Sequence, residues 1–261
     1  MNKKVVIVTG AYGKIGFAIA RDIALKPGYR LTLVGRSEKL LVKACREIIA
    51  ESGNTDISYQ VVDLSIEADI HSLANYWQGP LHILVNNAAS CPVTRTENAE
   101  GIEMQFATNV LGYYRMIMAF ESILRASAPA RIINIASYWA GELDMNDPEF
   151  KYRRYDNNTA YRQSKQADRM LSAAFAGLFD PSEITVNACH PGDVNSQLSN
   201  SLGFGGHESP GQGAATPVWL ATSTDVAGIS GKYFEHLNEH HCRFSTNMAD
   251  CKNLLKVCSS Y

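Results

Sequence analysis

No stretch of the 261-residue chain is apolar over the ~18–20 residues that a membrane-spanning helix requires. No CxxC pair occurs among its six cysteines, Cys45, Cys91, Cys189, Cys242, Cys251 and Cys258. Scattered single thiols in a chain of this length are those of a reducing compartment rather than a disulfide framework. No block of like charge is present either. The 24 basic and 26 acidic residues are interspersed and leave a net charge of −2, which speaks against a nucleic-acid-binding tail or a polybasic membrane patch. Met1-Asn2-Lys3-Lys4 leads at once into a strand-like run, leaving no room for a secretory signal. No repeat or linker divides the chain. These absences give the expectation of a cytoplasmic protein with one domain over residues 1–261, no membrane span and no nucleic-acid partner.

What is present is an alternation of short apolar runs and helix-like stretches. Val5–Val8, Leu31–Val34, Tyr59–Val62, Leu81–Val85, Ile132–Ile135, Ile184–Ala188 and Lys232–Phe234 read as strands. Between them lie helical patterns over Lys14–Leu25, from Ser37 as N-cap toward Glu51, and over Asp69–Trp77, Ile102–Leu124 and Ala160–Leu178. Thr216–Ala221 and Cys251–Val257 carry two more. The order predicts an α/β fold: a Rossmann-like, doubly wound parallel sheet of about seven strands with helices on both faces. Right-handed crossovers place the strand C-termini along one edge, where a ligand binds at the reversal of strand order. The least regular stretches, Ala140–Asn158 and Asn195–Gly213, both follow strands at that edge. The second is a candidate lid or a passive surface loop.

The first strand ends in Thr9-Gly10-Ala11-Tyr12-Gly13-Lys14-Ile15-Gly16. Glycines there allow a tight turn and close approach to a pyrophosphate, and the helix that follows aims free N–H groups at the phosphates. The second strand ends in Gly35-Arg36, with no acid between Leu31 and Ser37 to bond a ribose 2′-hydroxyl. A guanidinium suits a 2′-phosphate instead, so the cofactor is read as NADP(H), with Lys14 as a second nearby charge. The competing reading of Arg36 is a solvated surface residue. After the third strand comes Asp63-Leu64, where the carboxylate can bond an adenine amino group, cap a helix, or both. The fourth strand runs into Asn86-Asn87-Ala88-Ala89. Its small residues leave room for a cofactor, and its amides can satisfy backbone groups at the strand end.

The chemistry is expected further along. Tyr161 and Lys165, four residues apart in a helix, share one face. A free phenol titrates near ~10, and a neighbouring ammonium stabilises its phenolate. The pair can therefore serve as general acid and base for a carbonyl oxygen. Ser137, at the end of the fifth strand, can bond the same oxygen. Asn109, in the preceding long helix, is either a holder of a relay water or a buried amide that kinks the helix. Past strand six, Pro191-Gly192-Asp193-Val194-Asn195-Ser196 can cross a nicotinamide, with Ser196 on its carboxamide. His236, His240, His241 and Cys242 lack a ligand pattern, so no metal is expected. Lys151, Arg153 and Arg154 read as a solvated loop face. Tyr138, Trp139, Met145 and Phe204 either line an apolar pocket or are packing.

Taken jointly, Thr9–Gly16, Asn86–Ala89, Asn109, Ser137, Tyr161-x3-Lys165 and Pro191-Gly192 resemble the short-chain dehydrogenase/reductase family over nearly the whole chain. Arg131–Ser137, His190-Pro191-Gly192, Ser209-Pro210 with Gly213-Ala214, and Gly231–Phe234 are similar to its retinol-dehydrogenase-like branch. The resemblance implies a single-domain enzyme that moves a hydride between NADP(H) and a small carbonyl or alcohol. It also implies a tetrad of Asn109, Ser137, Tyr161 and Lys165, and a homodimer or homotetramer paired through two long helices. Lys14 departs from the glycine usual at its position in single-domain members, and the spacing Gly10-x2-Gly13-x2-Gly16 looks like that of epimerases and dehydratases. An NADP(H)-binding regulator without turnover and an epimerase or dehydratase are the alternatives.

Overall fold

The computed structural model describes residues 3–261; Met1 and Asn2, and with them the reading of the extreme N-terminus, lie outside the described residues. The sheet is built from β1 (Lys4–Thr9), β2 (Tyr29–Gly35), β3 (Ile57–Val61), β4 (Ile83–Asn86), β5 (Ala130–Ile135), β6 (Ile184–Cys189), β7 (Tyr233–Glu235) and β8 (Asn238–His240). The helices are α1 (Lys14–Ala24), α2 (Glu38–Ser52), α3 (Glu67–Asn75), α4 (Gly112–Ala126), α5 (Asn157–Ala176), α6 (Gln197–Ser201), α7 (Pro210–Thr222) and α8 (Met248–Ser259). Strand order is β3-β2-β1-β4-β5-β6-β7-β8. All pairs through β7 are parallel, as the alternation of strand and helix requires. β8 adds an antiparallel eighth strand at the edge.

Each central strand is buried on both faces, and its alternate residues feed two cores. On β1, Ile7 faces the layer of α3, α4, α5 and α8, while Val6 and Val8 face α1, α2 and α7. Leu84 and Ile132 join Ile7; Ile83, Val85 and Ile133 join the other side. A fully buried Ile or Leu contributes roughly 2 kcal/mol, so a one-residue slip that moved every side chain to the opposite layer would disrupt both cores. The helix ends are set locally. The Ser37 hydroxyl accepts from Leu40 N, and Asp156 Oδ1 accepts from Thr159 N, fixing the starts of α2 and α5.

The crevice between the C-terminal ends of β1 and β4 is where strand order reverses, since β2 and β3 lie to one side and β5 to β8 to the other. The two segments read as irregular are ordered around polar anchors. In residues 140–158 the Asp147 carboxylate accepts from the backbone of Lys151, Tyr152 and Arg153 at 2.7, 3.3 and 3.0 Å. Arg153 itself is drawn in, with Nε 3.2 Å from Asp147 and its guanidinium over the Phe150 ring, rather than lying on a solvated face with Lys151 and Arg154. In residues 195–213, paired caps create α6 (Ser196 with Ser199) and start α7 (Ser209 with Gln212).

Candidate active site

The glycine turn after β1 is clamped onto the end of β4. Thr9 Oγ1 accepts from Asn87 N and Ala88 N at 2.8 and 3.1 Å, while Asn87 Nδ2 donates to Thr9 O at 2.8 Å. Gly10 has φ +64°, and a Cβ there would sit 2.8 Å from Ala88 Cα. At Gly16 a Cβ would lie 2.4 Å from Gly10 O and 2.5 Å from Asn87 Nδ2. These two positions admit no side chain, so α1 presses its first turn onto the strand end. Gly13 is the N-cap of α1 and offers no side-chain acceptor, and the first turn carries no acid. The first N–H groups of α1 are thus left to an anion from outside the chain. Lys14 opens α1 with its side chain exposed, so it takes no space needed by the turn. Ile15 and Tyr12 are half-buried against the α1–α2 core, the Tyr12 ring lying over Gly35.

Arg36 follows β2 with 55% of its side chain exposed, and its Nη1 is 3.9 Å from Asp63 Oδ2 at the end of β3. Asp63 Oδ1 accepts from Ser65 N and Oγ at 2.9 and 2.8 Å, so this carboxylate holds the turn into α3 and faces Arg36 at once. Leu64 is buried; Ala88 is half-buried and Ala89 exposed. This groove of small residues, free N–H groups and an accessible guanidinium fits a dinucleotide phosphate chain.

The chemical residues converge at the C-terminal ends of β4, β5 and β6. Ser137, 5% exposed, follows β5. Its carbonyl accepts from the buried Arg169 guanidinium, which lies 3.4 Å from the centre of the Tyr233 ring, and its hydroxyl accepts from Trp139 N at 3.1 Å. Tyr161, in the first two turns of α5, directs its phenol at that hydroxyl. Burial pushes the phenol above its ordinary value, and the Ser137 hydrogen bond opposes that rise. Lys165 is one turn on, its Nζ 5.9 Å from the Tyr161 ring centre.

Asn109 belongs to a π-helical segment, Phe106–Leu111, that leads into α4. Its amide is fully used: Oδ1 accepts from Ser90 N at 2.8 Å, while Nδ2 donates to Ser90 O and Ser164 Oγ at 3.0 and 3.1 Å. It ties the loop after β4 to α5. The segment is started by Glu103, whose carboxylate accepts from Gln105 N and Phe106 N; burial raises that carboxyl to about 7.

Pro191 and Val194 are buried, and Gly192 has φ +97° with the Glu208 carboxylate against its α-carbon. The Ser196 hydroxyl is the N-cap of α6, accepting from Ser199 N at 3.1 Å. Trp139 and Phe204 meet at a tilt of 48° with centres 4.4 Å apart, and Tyr138 meets the His190 ring at 4.6 Å. Tyr138 and Trp139 directly follow Ser137, and Phe204 packs on Trp139, whereas Met145 packs against the α5–α8 core. Arg169, Asp168 and Glu208 belong to this neighbourhood but carried no motif in the sequence. The one available signal was the spacing of Asp168 and Arg169, three and four residues beyond Lys165.

His190 has a measurable signature. Its ring is 6% exposed, its Nδ1 has no hydrogen-bond partner, and burial lowers its pKa from 6.5 to about 3. The unfolded chain protonates this group below 6.5 while the folded chain does not, so stability is lost as pH falls from 6.5 toward 3, by about 1.4 kcal/mol per pH unit. Urea midpoints at pH 7, 6 and 5 should fall less steeply in His190→Gln than in the parent. Parallel profiles would show that the imidazole does not titrate this way.

A doubly wound α/β sheet with a glycine clamp at its switch point, and a tyrosine, a lysine and a serine beyond it, defines a nucleotide-dependent oxidoreductase. The short chain dehydrogenase profile matches residues 4–203, and the protein belongs to that family. Mouse retinol dehydrogenase 13 is 34% identical over 258 residues, covering 90% of this chain and 76% of that one. A Streptomyces antibioticus protein named "Probable oxidoreductase" is 34% identical over 254 residues, covering 89% of this chain and 85% of that one. The chain therefore sits on the retinol-dehydrogenase-like branch. Among solved structures, the Pseudomonas aeruginosa RhlG/NADP complex superposes with a TM-score of 0.70 at 26% identity, over 90% of this chain and 94% of that one. An uncharacterised Mycobacterium paratuberculosis protein reaches 0.82 at 20% identity, over 99% and 93%, and shares the fold. No helix among the described residues is long and apolar enough to cross a membrane.

Proposed function

We propose that this protein is an NADPH-dependent reductase of small-molecule ketones or aldehydes, acting as one catalytic unit over residues 1–261. The observation that carries the reading is the buried Tyr161 phenol beside the Ser137 hydroxyl, at the same C-terminal sheet edge as the glycine clamp. The bound cofactor supplies the hydride. A carbonyl oxygen placed between the two hydroxyls accepts a hydrogen bond from each. As negative charge grows on it, Ser137 stabilises that charge and Tyr161 hands over its proton. Arg36 receives the 2′-phosphate, Asp63 and Leu64 border the adenine, and Asn87, Ala88 and Ala89 flank the nucleotide. Pro191, Gly192, Val194 and Ser196 form the wall for the nicotinamide. Asn109 acts by bracing the Ser90 backbone rather than as a free amide, because both ends of its side chain are engaged.

The retinol dehydrogenase relatives make a lipophilic aldehyde a sensible first substrate, and the Trp139–Phe204 pair supplies an apolar wall for one. Pairing through α4 and α5 has to use what α8 leaves open, because Cys251, Leu254 and Cys258 of α8 pack into the core beside Leu171 and Phe175 of α5. The test is a panel of aliphatic, aromatic and polyene aldehydes and ketones, followed by cofactor absorbance with NADPH and with NADH. Turnover with NADPH well above that with NADH is expected. Binding of NADPH with no turnover on the whole panel would overturn the reading in favour of a regulator.

A further inference from the structure

A buried charge pair stands behind the tetrad. Lys165 is 2% exposed and Asp168, three residues on along α5, is fully buried. Lys165 Nζ donates to Asp168 Oδ2 at 2.8 Å and to Ile135 O at 2.9 Å. The same carbonyl accepts from Tyr113 Oη at 3.4 Å, and the ammonium lies 5.1 Å from the Tyr113 ring centre. Those bonds hold the ammonium against β5 and α4. The second carboxylate oxygen, Asp168 Oδ1, has no hydrogen-bond partner. Burying a carboxylate with one oxygen unsatisfied is costly, and what offsets the cost here is the equally buried ammonium that it neutralises.

We propose that Asp168 is a positioning residue whose carboxylate draws the Lys165 ammonium back from Tyr161 and offsets its charge, so that the phenol keeps its proton until a carbonyl oxygen takes it. The inference rests on Tyr161 being the proton donor. It deepens that role by giving the site a bias toward reduction, since reduction consumes the protonated phenol and oxidation needs the phenolate. Among the remaining groups four are neutral near pH 7, and one carboxylate adds to the effect. From α4 comes Tyr113, from β6 Cys189, from α8 Cys258 and from the loop after β4 Cys91; burial raises all four, Cys91 to about 11 and Cys258 to about 12, so each is neutral near pH 7. Asp193, beyond β6, is the other carboxylate acting on the phenol, and it works in the same direction. Burial pushes the Asp168 carboxyl above the usual carboxylate range, and the Lys165 ammonium opposes that rise.

The experiment is a titration of Tyr161 in the cofactor-free protein, followed by the 13Cζ resonance of labelled tyrosine and assigned by its loss in Tyr161→Phe. In Asp168→Asn, which keeps size and a hydrogen-bond acceptor, the phenol is expected to ionise about one pH unit lower than in the parent. At pH 10 the variant should show the larger phenolate fraction. Asp168→Ala should shift the same way and serves if the amide variant does not fold. On any substrate the panel yields, the acid limb of alcohol oxidation should move down by the same interval, giving about tenfold faster oxidation at a pH below that limb. Equal titration in parent and variants, or a shift upward, overturns the proposal, even if turnover falls at every pH, which is what a merely structural residue would give. The resonance needs no substrate, so a failure of the reductase reading would show separately, as turnover surviving in Tyr161→Phe.

Discussion

Replacing Tyr161 with Phe is expected to lower carbonyl turnover by roughly 10²- to 10⁴-fold while NADPH binding is kept. The substitution removes one oxygen from a side chain only 9% exposed and leaves its ring to pack as before. The neighbouring Ser137 hydroxyl still accepts from Trp139 N, so the β5 end has no reason to move. The loss therefore falls on the transition state, where the phenol is the proton source, and belongs in kcat rather than in the binding of cofactor. Fluorescence titration with NADPH, together with single-turnover reduction of a panel aldehyde, separates the two. A variant that still turns over at the parental rate would remove Tyr161 from the chemistry and, with it, the acid–base role proposed for the pair.

The central sheet was legible because its physics is local. Runs such as Val5–Val8 alternate between two buried layers, and the glycine turn after β1 is one in which Gly10 and Gly16 admit no Cβ. The eighth strand was not legible. Its hairpin turns on His236 and Leu237 at φ 46° and 65°, a backbone hand that tight hairpins usually signal with Asn-Gly. α6 was hidden for a related reason: its cap is a Ser196–Ser199 pair inside a stretch whose glycines read as a loop. The π-helical entry to α4 was also out of reach, since it follows from Asn109 bonding Ser90, nineteen residues earlier in the chain.

The candidate site divides the same way. Tyr161, Lys165 and Ser137 were found because spacing on a helix and position at a strand end are sequence properties, and the fold brings the phenol and the serine hydroxyl together. What the side chains do with their remaining bonds is a tertiary property. Asn109 was expected either to hold a relay water or to be a buried amide that kinks its helix; it is buried in a π-helical segment with both ends of its amide hydrogen-bonded. Ser196 caps α6, so its hydroxyl reaches a carboxamide only by sharing that bond. Arg169 and Asp168 lie one turn beyond Lys165 and look, in sequence, like the solvated face of an amphipathic helix. They are buried because α5 is enclosed by β5, β6 and α8. A charged residue on a helix with no exposed face has to find a partner, and here the partners are the Ser137 carbonyl and the Lys165 ammonium.

At the opposite end of the groove, Arg36→Ala is expected to weaken NADPH about 10- to 100-fold and to leave NADH nearly unchanged. That range corresponds to the loss of about 1.5–3 kcal/mol for hydrogen bonds to a charged group. The guanidinium is more than half exposed and meets Asp63 only at 3.9 Å, so no tight internal pair has to break before it can turn to a phosphate. The same geometry raises the stakes of removing it. Without Arg36 the Asp63 carboxylate, held in place by Ser65, faces the 2′-phosphate unscreened, and like charges at that distance repel. Arg36→Ala combined with Asp63→Asn should therefore recover part of the NADPH affinity that the single variant loses, and the recovery should shrink at high salt. KM for each cofactor, measured at low and at high ionic strength with one aldehyde, reads all of this. Parallel losses for NADPH and NADH would place Arg36 in the fold of the β2 end, not at the phosphate, and would leave the cofactor preference to be set elsewhere in the groove.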